Sequence, residues 1–300
     1  MSPELLVRFR RFGKVPRTAI ATAAGGLAGN PAPPAEIWTP VQVLLNCLGM
    51  PQKRPAAAAV AVTPELLLRK ATLARTSVTR AKYAQRGLAH GSPLDHTTRV
   101  LLLRQLYLSH MEGRRFADAL AIAEQMVGAS VMPDVARQDA ARACLGLGER
   151  EKAIEHLRIG SRVSPPARRA FHLWTLGSVL YLEGRYPDAC GALSRAARWG
   201  TRDKPLYLAG LGLARLAAGE DVADLAELRE RLSDAPCGQG YGQFVLGELC
   251  YALEDWAGAV RYLRAFLKRV TGGRVALQVS LSGEITRARS LVRRASQKLR

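Results

Sequence analysis

Five times between Arg99 and Val270 the chain returns to one pattern, punctuated by Gly113, Gly148, Gly184, Gly219 and, at the fifth place, Glu254, in steps of 35, 36, 35 and 35. A period of this length is that of a helical pair. One pair cannot bury its apolar face by itself, so successive pairs have to stack, and the core grows along an axis. The repeat therefore predicts an all-α fold, an α-solenoid of about five helix pairs. In the clearest unit a first helix is expected from Ala170 to Leu182, a turn at Glu183-Gly184-Arg185, and a second helix from Pro187 to Arg198. Leu173, Leu176, Gly177 and Leu180 would face Ala189, Leu193 and Ala196. Gly177 and Ala189 are both small, as are Ala141 with Ala153 and Gly247 with Ala259, because antiparallel helices at close range leave no volume where their axes meet.

The rest of the chain frames this array. Residues 1–62 carry Pro31, Pro33, Pro34, Pro40, Pro51 and Pro55 among Ala- and Gly-rich stretches, which reads as a mostly disordered basic segment. Its exception is the stretch from Ile37 to Met50, whose Trp38, Val41, Val43, Leu44, Leu45 and Leu48 suit a short amphipathic helix. Arg8, Arg10, Arg11 and Lys14 superficially suggest an export signal, but Pro16 and a weak apolar run argue for a basic tail. Residues 63–98 read as a divergent helical pair capping the array: Thr63 as N-cap, Pro64 in the first turn, Glu65 at the positive end, and a second helix from Ser77 to Ala89. After the array (99–270), residues 271–300 read as a basic capping helix. Leu281, Ile285, Ala288, Leu291, Val292, Ala295 and Leu299 lie on its apolar face, and Arg287, Arg289, Arg293, Arg294 and Lys298 mostly off it.

Charge separates these parts. The chain has a net charge of +19, yet residues 99–270 hold 24 Lys and Arg against 20 Asp and Glu, while the flanks hold 20 against 5. An anionic partner, nucleic acid included, is thus expected at the flanks rather than along the array. No run reaches the roughly 18 apolar residues of a membrane span. Five cysteines form no CxxC pair, and Cys144 and Cys250 fall at the same place in their repeats, which fits buried packing residues in a reducing, cytoplasmic setting.

Leu176, Gly177, Gly184, Tyr186, Ala189, Leu193 and Ala196 together resemble the tetratricopeptide repeat, as do Leu246, Gly247, Trp256, Ala259 and Leu263 in the last unit. The unit from Pro205 to Asp234 is degraded, with Asp224 where the family has alanine. The resemblance implies a non-catalytic adaptor or scaffold whose first helices line a concave groove for a protein or peptide, here one of acidic character. Transferred by repeat position, the groove would present Arg104, Tyr107, Arg142, Trp174, Ser178, Tyr181, Tyr241, Phe244 and Tyr251. Gln138, Asp139, Phe171 and Glu248 share those helix faces. The clamp by which some members hold chaperone C-termini needs Lys and Asn where this chain has Leu103 and Tyr107, so that activity is not implied. A second, local resemblance is open beside it. The stretch from Phe116 to Asp134, FADALAIAEQMVGASVMPD, is similar to the second helix and linker of a pentatricopeptide repeat, whose family binds single-stranded RNA. RNA or DNA binding, helped by the basic flanks, is therefore the alternative.

Catalysis is not expected. There is no HExxH, GxxxxGK or GxSxG, and His90, His96, His110, His156 and His172 are expected to have no fixed nucleophile or carboxylate partner. The stretch from Gly238 to Gly242 reads as a linker opening a helix rather than a phosphate loop. No cofactor and no metal site is anticipated.

Overall fold

The computed structural model describes residues 62–300 apart from Ser92 and Arg274. The expectations for the basic N-terminal segment, including its short helix from Ile37 to Met50, lie outside the described residues. Among the described residues the fold is all-α, with no strand. Helices α1 (Pro64–Leu73) and α2 (Ser77–Leu88) form an N-terminal pair. Five further pairs follow: α3 (His96–Glu112) with α4 (Phe116–Gly128), α5 (Pro133–Leu147) with α6 (Arg150–Val163), α7 (Pro166–Leu182) with α8 (Tyr186–Trp199), α9 (Lys204–Ala217) with α10 (Leu225–Asp234), and α11 (Gly242–Ala252) with α12 (Trp256–Thr271). The chain ends in a short α13 (Val275–Ser280) and α14 (Ser282–Lys298). Consecutive helices pack on one another along the whole array, which is the solenoid anticipated from the period.

Each of the five pairs of the array turns in the same way. One residue takes positive φ and the next backbone N–H reaches back five residues: Glu149 to Cys144, Arg185 to Leu180, Glu220 to Arg215 and Asp255 to Cys250. The positive-φ residues are Gly148, Gly184, Gly219 and Glu254, at the predicted places. In the first pair, however, Gly113 has φ −81° and it is Arg114 that takes φ 55°, with Arg115 N–H reaching His110. The true step from the first turn to the second is therefore one residue shorter than the glycines suggested. A left-handed position favours glycine without requiring it, so the glycine marked the turn but not the residue bearing the strain.

Seven residues before four of these turns the first helix carries something small. A Cβ on Gly177 would stand 2.5 Å from Leu193 Cγ, one on Gly247 2.4 Å from Leu263 Cγ, and one on Gly212 2.7 Å from Leu228 Cδ1. The close partner is thus the leucine sixteen residues on, nearer than the alanine proposed from the sequence. In the second pair Ala141 and Leu157 fill these places, and in the first pair the volumes are exchanged: Tyr107 stands on the first helix and Ala123 on the second, both fully buried. Total volume at a helix crossing is what the packing preserves. In the eroded fourth pair α10 starts only at Leu225, because Asp224 replaces the buried alanine. The linker that follows has a 3-10 turn at Pro236–Gly238, and α11 opens at Gly242.

Neighbouring pairs are also clasped by polar groups one repeat apart. Asp134, fully buried at the start of α5, accepts two bonds from Arg168 on α7, at 2.7 and 2.9 Å, and lies 2.8 Å from His172 Nε2. Against the cost of burial, His172 and Arg168 hold the Asp134 carboxyl well below the ordinary carboxylate range. The expectation that no histidine has a carboxylate partner is corrected here: Asp134 and His172 are 38 residues apart, a distance only stacking closes.

Candidate functional site

The first helices α3, α5, α7 and α11 supply one face, and the C-terminal helices lie on it. Helix α13 packs against α3 and α5, and Val279 joins the apolar cluster of Val100, Leu103 and Tyr107. A Cβ on Gly283 would touch Leu182 of α7 at 3.5 Å. Glu284 and Arg287 then meet residues of α7 and α11. Packed helices stand about 8–10 Å apart, so a flat row would hold α3 and α11 on the order of 35 Å apart. As helix, residues 275–287 reach about 18 Å. Side chains add several Å of reach at each end, and Trp174 of α7 meets Tyr241, just ahead of α11, at 4.8 Å across the intervening pair, so the first helices draw together around this segment. An end cap, the expectation for 271–300, describes the packing of α14 on α12 but not the passage of α13 and the start of α14 across the inner face.

Two polar nodes fix that passage. At the first, Tyr241 O–H donates to Glu284 Oε1 at 3.2 Å, Ser178 reaches the same hydroxyl, and Arg142 attracts the carboxylate. Burial dominates nonetheless and pushes the Glu284 carboxyl up to about 7. At the second, Arg287 donates to Glu248 through Nε and to the Tyr181 hydroxyl at 2.7 Å through Nη2, with its guanidinium 4.9 Å from the Tyr181 ring centroid. Burial raises Glu248 too, and it raises the Tyr181 phenol well above its usual range.

The remaining sequence-derived candidates separate by location. Arg104 bonds Asp139 at 2.8 Å, and Tyr107 donates to the backbone oxygen of Asp139 at 2.8 Å from a position 1% exposed. Arg142 stands 3.5 Å from Asp139 on its other side. Trp174 is half-buried and meets Tyr241 edge-on at 4.8 Å. Phe244 is core, packed on Phe266 at 5.3 Å, and Tyr251 packs on Trp256 at 5.1 Å within the last pair. The inner face thus gathers Arg142, Ser178, Tyr181 and Tyr241, and it leaves Tyr107, Phe244 and Tyr251 in packing positions. Sequence reasoning placed Glu284 and Arg287 on no site. The signal it held was an acid three residues ahead of an arginine at the edge of an apolar helix face.

No family model matches the chain, and no curated protein does. A solved structure titled Functional Characterization of Pseudomonas Aeruginosa pilF is similar at 18% identity and a TM-score of 0.44, covering 68% of this chain and 91% of that one. The array is a solenoid of tetratricopeptide-like helix pairs. That statement rests on the five repeated turns and the small-residue crossings. Among the described residues no group of three or more His, Cys, Asp and Glu could hold a metal, and no helix is long and apolar enough to cross a membrane.

The Glu284 node makes a pH prediction. The carboxyl titrates near 4.5 when free and about 7 when docked, so its contribution to docking is fully present below about 4.5 and is lost as pH rises to about 7. Glu248 acts in the same direction. Amide protection of the first turns of α14, corrected for intrinsic exchange, should fall between pH 5 and pH 8, and in Glu284→Gln the fall should be much smaller. Equal pH dependence in the variant would remove Glu284 from this role.

Proposed function

We propose that the array is a non-catalytic scaffold that recruits a protein partner on the inner face of its first helices. The observation that carries this reading is that face's composition. Arg142, Ser178, Tyr181, Tyr241 and Glu248 offer charged groups and hydroxyls beside apolar surface from Trp174 and Leu103, which is how a face that receives an amphipathic segment is built. The mixed signs on this face favour a partner segment that carries both an acid and a base, rather than a uniformly acidic one. A peptide array probed with the full chain and with Arg142→Glu tests the reading: sequence-selective binding that the substitution weakens at least tenfold supports it. Binding indifferent to Arg142→Glu would remove the groove assignment.

A second reading rests on the outer surface of α12 and α14, where Arg261, Arg264, Lys268, Arg289, Arg293, Arg294 and Lys298 are exposed and the acid of α14, Glu284, is buried. Nucleic acid held there would show affinity falling steeply with salt, because phosphate contacts release counterions. Affinity flat in salt would exclude it.

A further inference from the structure

We infer that residues 275–287 are a tethered occupant of the inner face, and that the partner's docking element is an amphipathic helix of the same chemistry, with an acid and, three residues on, an arginine beside an apolar spine. This rests on the scaffold reading and states what its ligand looks like and why the face is covered. The observation is the pattern of contact. From 275 to 287 the segment touches first helices of four pairs, α3, α5, α7 and α11, and it meets at both nodes side chains offered to a partner by repeat position. Ile285 alone is deeply buried as an apolar anchor in this stretch, while Leu277, Val279 and Leu281 are half-buried and α13 buries no residue fully. Further along the same helix Ala288 and Ala295 are fully buried, Ala295 with Cys250 and Ala259 of the last pair, as a segment fixed as core is.

Gly272 and Gly273 give the chain a flexible joint ahead of α13, and release of 275–287 also unwinds the first turns of α14, 282–287, while its second half stays on α12. The groups that hold the segment come in order: Glu284 accepts from the Tyr241 hydroxyl, and three residues on Arg287 donates to Glu248 and Tyr181. A partner helix presenting an acid and an arginine in that order would satisfy the same side chains. Binding in trans then competes with a ligand that is always present at high local concentration, and the apparent affinity is reduced by the fraction of time the face is open.

The test uses the full chain. Hydrogen exchange of residues 275–287 is followed in the wild type, in Arg287→Glu, and in Arg287→Glu combined with Glu248→Arg, beside anisotropy of a fluorescein-labelled peptide of residues 275–291 added in trans. We expect Arg287→Glu to lower protection of 275–287 at least tenfold while α5 and α7 stay protected, and the charge-swapped pair to restore protection. A labelled peptide carrying Glu at its residue 287 should bind Glu248→Arg at least tenfold more tightly than it binds the charge-swapped chain, whose own segment re-covers the face. The wild-type peptide should be excluded from the wild-type chain by the same self-occupancy. Because Arg287→Glu could simply unfold the last pair, restoration by the swapped pair is the deciding readout. Unchanged protection of 275–287 in Arg287→Glu, or no peptide binding to Glu248→Arg, would overturn the occupant. Array hits that bind the wild type without exposing 275–287 would overturn it too, while leaving the scaffold reading intact. Self-peptide binding with no array hit would support the occupant and count against the scaffold.

Discussion

Asp134→Ala should unfold the array at markedly milder conditions, with a loss of about 3–5 kcal/mol, the range for removing one partner of a buried charge pair. The aspartate is fully buried between α5 and α7, and its removal leaves the Arg168 guanidinium, only 19% exposed, without its carboxylate. For an array of this size the loss corresponds to a drop in midpoint on the order of 10 °C. Asp134→Asn, which keeps the shape and discards the charge, should lose a large part of the same stability. The wild type carries a related pH dependence. Because Arg168 and His172 hold this carboxyl below its ordinary value of 3.8, the clasp is fully present above about pH 4 and is lost on acidification. Urea denaturation at pH 7 and pH 3 checks both statements. A change under 1 kcal/mol for Asp134→Ala at pH 7 would mean that the second and third pairs are joined by apolar packing alone.

Tyr107→Ala should likewise cost about 3–5 kcal/mol, as truncation of a buried aromatic does. Tyr107 is 1% exposed, fills the helix crossing that glycine or alanine occupies in the other pairs, and donates to the Asp139 backbone oxygen of the next pair. Tyr107→Phe should cost only about 1 kcal/mol for the hydrogen bond. Thermal unfolding of both variants, set beside peptide binding by their folded fractions, distinguishes a packing residue from a groove contact. A stable Tyr107→Ala chain with impaired binding would reverse the assignment made from its burial. Ala123, which stands across the crossing, explains the site: with leucine there, as in the four other pairs of the array, tyrosine would not fit.

These two residues show where legibility ended. Period, helix pairing, the start at Thr63 and Pro64, the erosion at Asp224 and the small-residue crossings were all readable, because each is a local pattern repeated within one pair. Thr63 does accept from the Leu66 N–H, at 3.2 Å. The first turn was misread by one residue because Arg114 adopts the conformation that Gly113 advertises. Of the candidate groove, Arg142, Ser178, Tyr181 and Tyr241 share an inner face, whereas Tyr107 and Phe244 went into the core. Helical spacing alone gives an outward stripe the same pattern as a stripe packed on the next repeat.

By itself, then, the sequence determined a stacked helical array and the residues that close each pair, since these depend on contacts within about 20 positions along the chain. Only the tertiary structure decided how far the stack bends. Curvature is the sum of small rotations at every junction, and together with the return of the chain after α12 it brings Arg287 to Tyr181, 106 residues away, and Glu284 to Tyr241, 43 residues away. The covering of the inner face by the chain's own C-terminal segment is a consequence of that bend.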